Sequence, residues 1–200
     1  MEDGMAAMAV DPAALALWQA CLRAAQEERG RELLERFDRS LPFQDAVADR
    51  WERARALGFG EGASIYGSAF IYGAVRVGTG TWVGPNVILD GAGAPLEIGS
   101  WCSVSAGVHI YTHDTVAWAL SGGVQQARHA PVRVGDRCYL GPQSIIAAGV
   151  TIGTCCVVAA NSFVKTDVPE RTVVGGSPAR VLGRVEFDGD QPVLRFGGAS

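Results

Sequence analysis

The sequence predicts a mainly β protein: a solenoid of short strands, preceded by a helical segment and interrupted by one protruding loop at about 114–130. Three observations predict it. From Ile65 onward aliphatic residues recur every six positions. Glycine supplies 26 of 200 residues, about twice the usual share, without the three-residue period of collagen, so it must serve a turn-rich fold. The first sixty residues follow a different, helical pattern. A hydrophobic content of 48% lets the chain bury a sizeable core and excludes wholesale disorder.

In chain order, Asp11-Pro12 is a helix start, a capping carboxylate followed by proline at the first helical position. Leu15, Trp18, Leu22 and Ala25 then recur at helical spacing, Gly30 interrupts, and Glu32 to Phe37 reads as a second short stretch. After Leu41-Pro42, a helix from Phe43 to Leu57 is expected to carry Val47, Trp51, Ala54 and Leu57 on one face. Gly58, Gly60 and Gly62 end the helical part. The expected organisation is a helical segment over 1–62, a β domain over 63–185 and a C-terminal tail over 186–200.

The repeat itself runs Ile65, Ile71, Val77, Val83, Leu89, then Ile98, Val104, Ile110, then Val134, Leu140, Ile146, Ile152, Val158 and Val164. A small residue usually follows the aliphatic, and another compact side chain comes four positions after it, among them Cys102, Cys138 and Cys156. A period of six fits neither a lone helix nor a hairpin meander; it describes a solenoid. The repeat breaks twice: Leu89 to Ile98 is nine residues, and Ile110 to Val134 is twenty-four. The second break cannot be absorbed by a regular coil, so 114–130 leaves it as a loop, the usual place for binding groups on a rigid scaffold.

Over roughly residues 65–185 this pattern resembles the hexapeptide-repeat acyltransferases, nearest their maltose/galactoside and sugar O-acetyltransferase branch. The resemblance implies a left-handed parallel β-helix, three hexads to a coil, with the aliphatics pointing into a triangular prism. It carries the catalytic histidine onto His113, in His109-Ile110-Tyr111-Thr112-His113-Asp114. Transfer of an acetyl group to a hydroxyl needs a base, and an imidazole titrating near neutrality suits that task. Asn86 and Asp90 are the nearest matches to the family's acceptor-site Asn and Asp. Counting hexads puts Leu89 and Ile110 on neighbouring rungs, so Asp90 comes within reach of His113 as an orienting carboxylate; its other reading is a plain corner residue. Asp114, next to His113, should point away. Trp118 can stack on a sugar ring or pin the loop to the prism.

The closing segments Asn161 to Pro169 and Val174 to Val181 look like the family's last coil, where coenzyme A binds. Carried over singly, Ala160, Lys165 and Thr166 contact pantetheine and phosphates, and Arg180 the nucleotide phosphates. The order Lys165-Thr166 is the reverse of the usual Thr-Lys, and Pro142 stands where relatives can offer serine. Independently of family, the chain's only lysine and an arginine beside Gly175-Gly176 suit an anionic pyrophosphate. The implied activity is acetyl-CoA-dependent O-acetylation of a sugar, sugar-nucleotide or polysaccharide-precursor hydroxyl, with backbone N–H groups near a coil corner holding the thioester oxyanion. The implied assembly is a homotrimer with the acetyl-CoA groove between prisms.

Alternatives are N-acetylation of an amino sugar, acetylation of an antibiotic, a γ-type carbonic anhydrase and a non-catalytic scaffold. In the γ-type anhydrases one metal histidine lies far upstream of a close pair; here His109 and His113 come first and His129, assigned no role, closes the loop. His109 is expected at the surface, facing a neighbouring subunit. A net charge of −4, with both signs mixed along the chain, gives no support to a nucleic-acid or anionic-membrane partner. The five cysteines lack the paired spacings of a zinc site, so no metal is expected; the three at inward slots read as core, Cys155 as facing out, and none as a nucleophile. The most apolar run, Ile145 to Ala160, is short for a membrane span, and Met1 to Val10 lacks the basic start of a secretory signal, so a cytoplasmic protein is expected.

Overall fold

The computed structural model describes residues 11–197; the stretch from Met1 to Val10, read above for a secretory signal, lies outside them. The chain forms two compact units that meet at Val47 and Ala48 in sequence. In the first, α1 (Pro12–Phe37) opens as the sequence requires: Asp11 caps it by accepting from the Ala13 N–H at 3.1 Å, with Pro12 at the first position. It does not stop at Gly30. One continuous helix runs to Phe37, held across the glycine by Arg29 and Arg36 paired to Glu32, and ends on Asp38 in the left-handed conformation. The Glu32 carboxyl is held below its usual range by those two guanidinium groups. The stretch from Phe43 to Leu57 is not one helix either. It divides into α2 (Phe43–Val47) and α3 (Arg50–Ala56), because Asp49 turns its carboxylate onto the N–H groups of Trp51 and Glu52 at 2.9 Å each and starts a new helix. Its apolar stripe buries only Ala54; Val47, Trp51 and Leu57 stay exposed.

The second unit is a left-handed parallel β-helix. Its strands stack in three columns, one per face of the prism. The first face aligns Ile65, Val83, Val104, Leu140, Val158 and Val174. The second aligns Ile71, Leu89, Ile110, Ile146 and Val164. The third aligns Val77, Ile98, Val134, Ile152 and Val168. All these pairings are parallel, and the six-residue aliphatics are the core that they enclose. α3 closes the first coil: Ala54 and Phe59 join the core, and the Arg53 guanidinium donates to the carbonyls of Tyr66 and Ala69. At the other end Thr172–Gly176 pairs antiparallel with Ala179–Asp188, which pairs with Gln191–Phe196. Most residues of the expected tail therefore belong to a hairpin that extends the sheet.

Two corners turn through left-handed residues, many of them not glycine. Gly80, Trp101, Arg137, Cys155 and Arg171 stack at the corner between the third and first faces; Asn86, Gly107, Gln143 and Asn161 stack between the first and second. Cys155 is thereby corrected: it is 5% exposed, enclosed in its corner between the turns of Arg137 and Arg171, instead of facing out. Among the described residues no helix is long and apolar enough to cross a membrane.

Candidate functional site

The third corner, between the second and third faces, is where the hexads fail. In the strands Phe70–Val77 and Ile88–Ile98 the register runs Gly73 to Gly91 and then Val75 to Leu96, so three extra residues bulge out of the lower coil. One rung above, the chain leaves altogether between Asp114 and Ala130. The two breaks noted in the sequence are thus stacked on one another, and together they build one site.

Thr112 ties them. Fully buried, it donates its N–H to the Asp90 carbonyl at 3.1 Å and its hydroxyl to the same oxygen at 2.8 Å. Its Oγ1 also accepts from the Ala94 N–H at 3.1 Å, and its carbonyl accepts from Ala130 N–H at 2.9 Å, so bulge and loop share one anchor. Sequence reasoning missed Thr112; the only signal was a β-branched hydroxyl residue two positions before the loop. His113–Asp114 then pairs antiparallel with Arg128–His129 and closes the neck of the loop, setting His113 opposite His129.

His113 sits with its Nδ1 edge inward, 3.5 Å from Oδ2 of Asp90. That contact lacks hydrogen-bond alignment: Nδ1 is buried and has no hydrogen-bond partner. The Asp90 side chain is only 10% exposed, against 32% for His113, and its Oδ1 is occupied by the Ala92 N–H at 2.9 Å. The bulge thus fixes the carboxylate and aims its second oxygen at the imidazole. Tyr111, on the same rung, has its hydroxyl pushed above the usual range by burial and by the Asp90 and Tyr72 charges, so it stays protonated against His109 Nδ1 at 3.2 Å. Asp114 turns to Arg128, at 3.8 Å, and to the Val116 N–H, at 3.2 Å, as its neighbour position requires.

His129 is the residue to which the sequence assigned nothing. Its Nδ1 lies 2.8 Å from the Gly93 carbonyl and its ring centroid 6.1 Å from that of His113. Gly93 is glycine for a reason: a Cβ there would come within 2.6 Å of His113 Cβ and 3.1 Å of His129 Nδ1.

The remaining candidates are elsewhere. Asn86 occupies the corner between the first and second faces, at φ 55°, and its N–H donates to Ser68 Oγ. Trp118 rides on α4 (Val116–Leu120) inside the loop, 53% exposed, where Val116, Leu120 and Val124 are exposed with it. It does not pin the loop by burial. Ala160, Lys165 and Thr166 line the exposed outside of the last coil, Lys165 following Val164 as Tyr111 follows Ile110, two rungs or about 10 Å along. Arg180 is exposed, its Nη1 on the Ala179 carbonyl at 3.0 Å. Ser162 Oγ accepts from the Gly176 N–H at 3.1 Å and holds the closing turn to the coil. Lys165 makes no ion pair among the described residues, so the last coil presents an unneutralised cation.

The hexapeptide repeat described for succinyl-transferases matches residues 131–165. A hexapeptide-repeat-containing acetyltransferase of Vibrio cholerae, solved in complex with acetyl-coenzyme A, is 31% identical; the alignment covers 80% of this chain and 87% of that one, with a TM-score of 0.59. The carnitine operon protein CaiE of Salmonella agona is 34% identical over 62% of this chain and 65% of its own. A tetrahydropyridine-dicarboxylate N-acetyltransferase of Staphylococcus aureus is 38% identical over 32% of this chain and 26% of its own. The chain spans between 26% and 65% of the length of these two curated relatives.

Proposed function

This chain belongs to the hexapeptide-repeat acetyltransferase family, and on that premise we propose that it is an O-acetyltransferase that moves an acetyl group from acetyl-CoA to a hydroxyl of a sugar, sugar nucleotide or polysaccharide precursor. One observation carries the reading: the two breaks in an otherwise regular coil converge on His113, with a nearly buried carboxylate behind its Nδ1. The Asp90 contact selects the tautomer with the proton on Nδ1 and leaves Nε2, on the opposite edge of the ring, as the base. Nε2 takes the acceptor's proton as the oxygen bonds to the thioester carbonyl carbon. The carbon–sulfur bond then breaks, and the imidazolium returns the proton to the departing thiolate. Asp90 stabilises the imidazolium between those two events.

In this reading the donor lies along the outside of the prism, its phosphates toward Lys165 and Arg180, in a homotrimer whose neighbouring prism walls the groove. An amino group could replace the hydroxyl at the same base, and the name of the Staphylococcus aureus relative supports testing amino acceptors beside hydroxyl ones. Calorimetric titration with acetyl-CoA tests the reading. Micromolar-range binding that weakens in Lys165→Ala and Arg180→Ala, with CoA release on adding sugar acceptors, is the expected outcome. Absence of acetyl-CoA binding overturns it.

A further inference from the structure

Two imidazoles, not one, face the same corner. Each turns its Nδ1 toward the bulge: His113 faces Asp90 Oδ2 at 3.5 Å, and His129 is hydrogen-bonded to the Gly93 carbonyl at 2.8 Å. A carbonyl only accepts, so the His129 contact requires a proton on Nδ1 and leaves Nε2 unprotonated in the neutral ring. Of the two contacts only the His129 tether is a hydrogen bond, and its acceptor lies in the bulge that also holds Asp90. The bulge therefore sets both rings at once.

We propose that His129 is an acceptor-binding residue whose Nε2 receives a hydrogen bond from the hydroxyl next to the one acetylated, so that the site selects a vicinal diol. This rests on the transferase reading of His113. The chemistry follows from the two nitrogens. Both are acceptors, so the molecule that fits must present two donors side by side. The ring centroids stand 6.1 Å apart with the planes tilted 34°, so the two rings are close enough to meet hydroxyls on adjacent carbons, one to each ring. A lone alcohol satisfies only His113. A carboxylate beside the reacting hydroxyl meets a lone pair and is rejected. Arg128 does not offset this: it is directed to Asp114, at 3.8 Å, and to the Ala148 carbonyl, at 3.4 Å.

The test uses the full chain with histidine rings labelled for nitrogen NMR, and methyl hexopyranosides with their monodeoxy forms as probe acceptors. Ring-nitrogen spectra, assigned with single histidine-to-glutamine variants, should show His129 protonated at Nδ1; a proton on Nε2 overturns the proposal without any acceptor present. In kinetics, His129→Ala should raise KM for the best methyl hexoside about tenfold, the worth of one hydrogen bond, with kcat changed less than about threefold. Acetyl-CoA affinity should stay unchanged, and His129→Gln should recover part of the loss. The monodeoxy sugar lacking the neighbouring hydroxyl should react equally with wild type and His129→Ala. If the wild type does not bind acetyl-CoA, the transferase reading falls and this one with it. If acetyl-CoA binds but no methyl hexoside is acetylated, or the His129→Ala substitution slows diol and deoxy acceptors by the same factor, only the role of His129 falls.

Discussion

The corner that carries Cys102, Cys138 and Cys156 and the corner that carries His113 belong to the same coils, yet they are built in opposite ways. At the cysteine corner the repeat is unbroken. Each thiol donates to a carbonyl of the adjoining rung: Cys102 to Gly135 at 3.1 Å, Cys138 to Gly153 at 3.0 Å and Cys156 to Pro169 at 3.0 Å. The Cys138 thiol, with Cys102 on one side, Cys156 on the other and little solvent, is pushed far above its usual range and keeps its proton. At the histidine corner the repeat fails on two successive rungs, Nδ1 of His113 is buried without a hydrogen bond, and two imidazoles face outward. A stack whose polar groups are satisfied by its neighbours is inert; one whose groups are held but not satisfied is ready for a ligand.

The contrast can be broken, and the steepest effect is expected at the base. His113→Ala should lower turnover roughly 10²–10⁴-fold with acetyl-CoA affinity little changed, read by steady-state CoA release beside calorimetry. A near-normal rate on the true acceptor would show that the proton goes elsewhere. Asp90→Asn keeps the shape but not the charge. It should cost on the order of 10²-fold in kcat, less than in a tightly bonded triad because the contact is 3.5 Å. An unchanged kcat would reduce Asp90 to the corner residue of its bulge.

Away from the site the currency becomes stability. In Gly141→Ala the new Cβ would stand 2.6 Å from the Ala160 backbone nitrogen, so the stack must shift. About 1–3 kcal/mol should be lost in denaturant unfolding. The smallest effect sharpens the comparison from the inert side: Cys138→Ala should cost about 1 kcal/mol and leave turnover untouched. A drop in kcat there would mean that the two corners are coupled.

The prism was legible because its cause is local and repeated. Every sixth residue meets the same inward slot, so Ile65, Val83 and Val104 announce themselves without any long-range information. Leu89 and Ile110 could be placed on neighbouring rungs by counting, and with them the reach from Asp90 to His113. The helices were read less well. Gly30 sits in an open position where i,i+3 and i,i+4 ion pairs carry the helix past it, while the Asp49 cap divides a stretch whose apolar spacing looked continuous. Cys155 was misplaced because a corner position is enclosed by the turns above and below it, which a six-residue count does not see.

What the sequence by itself determined is the coil: the period, the inward residues and the existence of two interruptions; His113 as candidate base came with the family resemblance that the coil carries. What only the tertiary structure decided is that the interruptions stack at one corner, that Thr112 and Gly93 join them, and that His129 comes back across the neck of the loop to stand beside His113. The reason is physical. A repeat constrains each residue through neighbours at fixed intervals, and sequence records intervals. A site made of breaks is defined by which chain segments meet after the interval is lost, and only closure of the loop onto the rung below sets that.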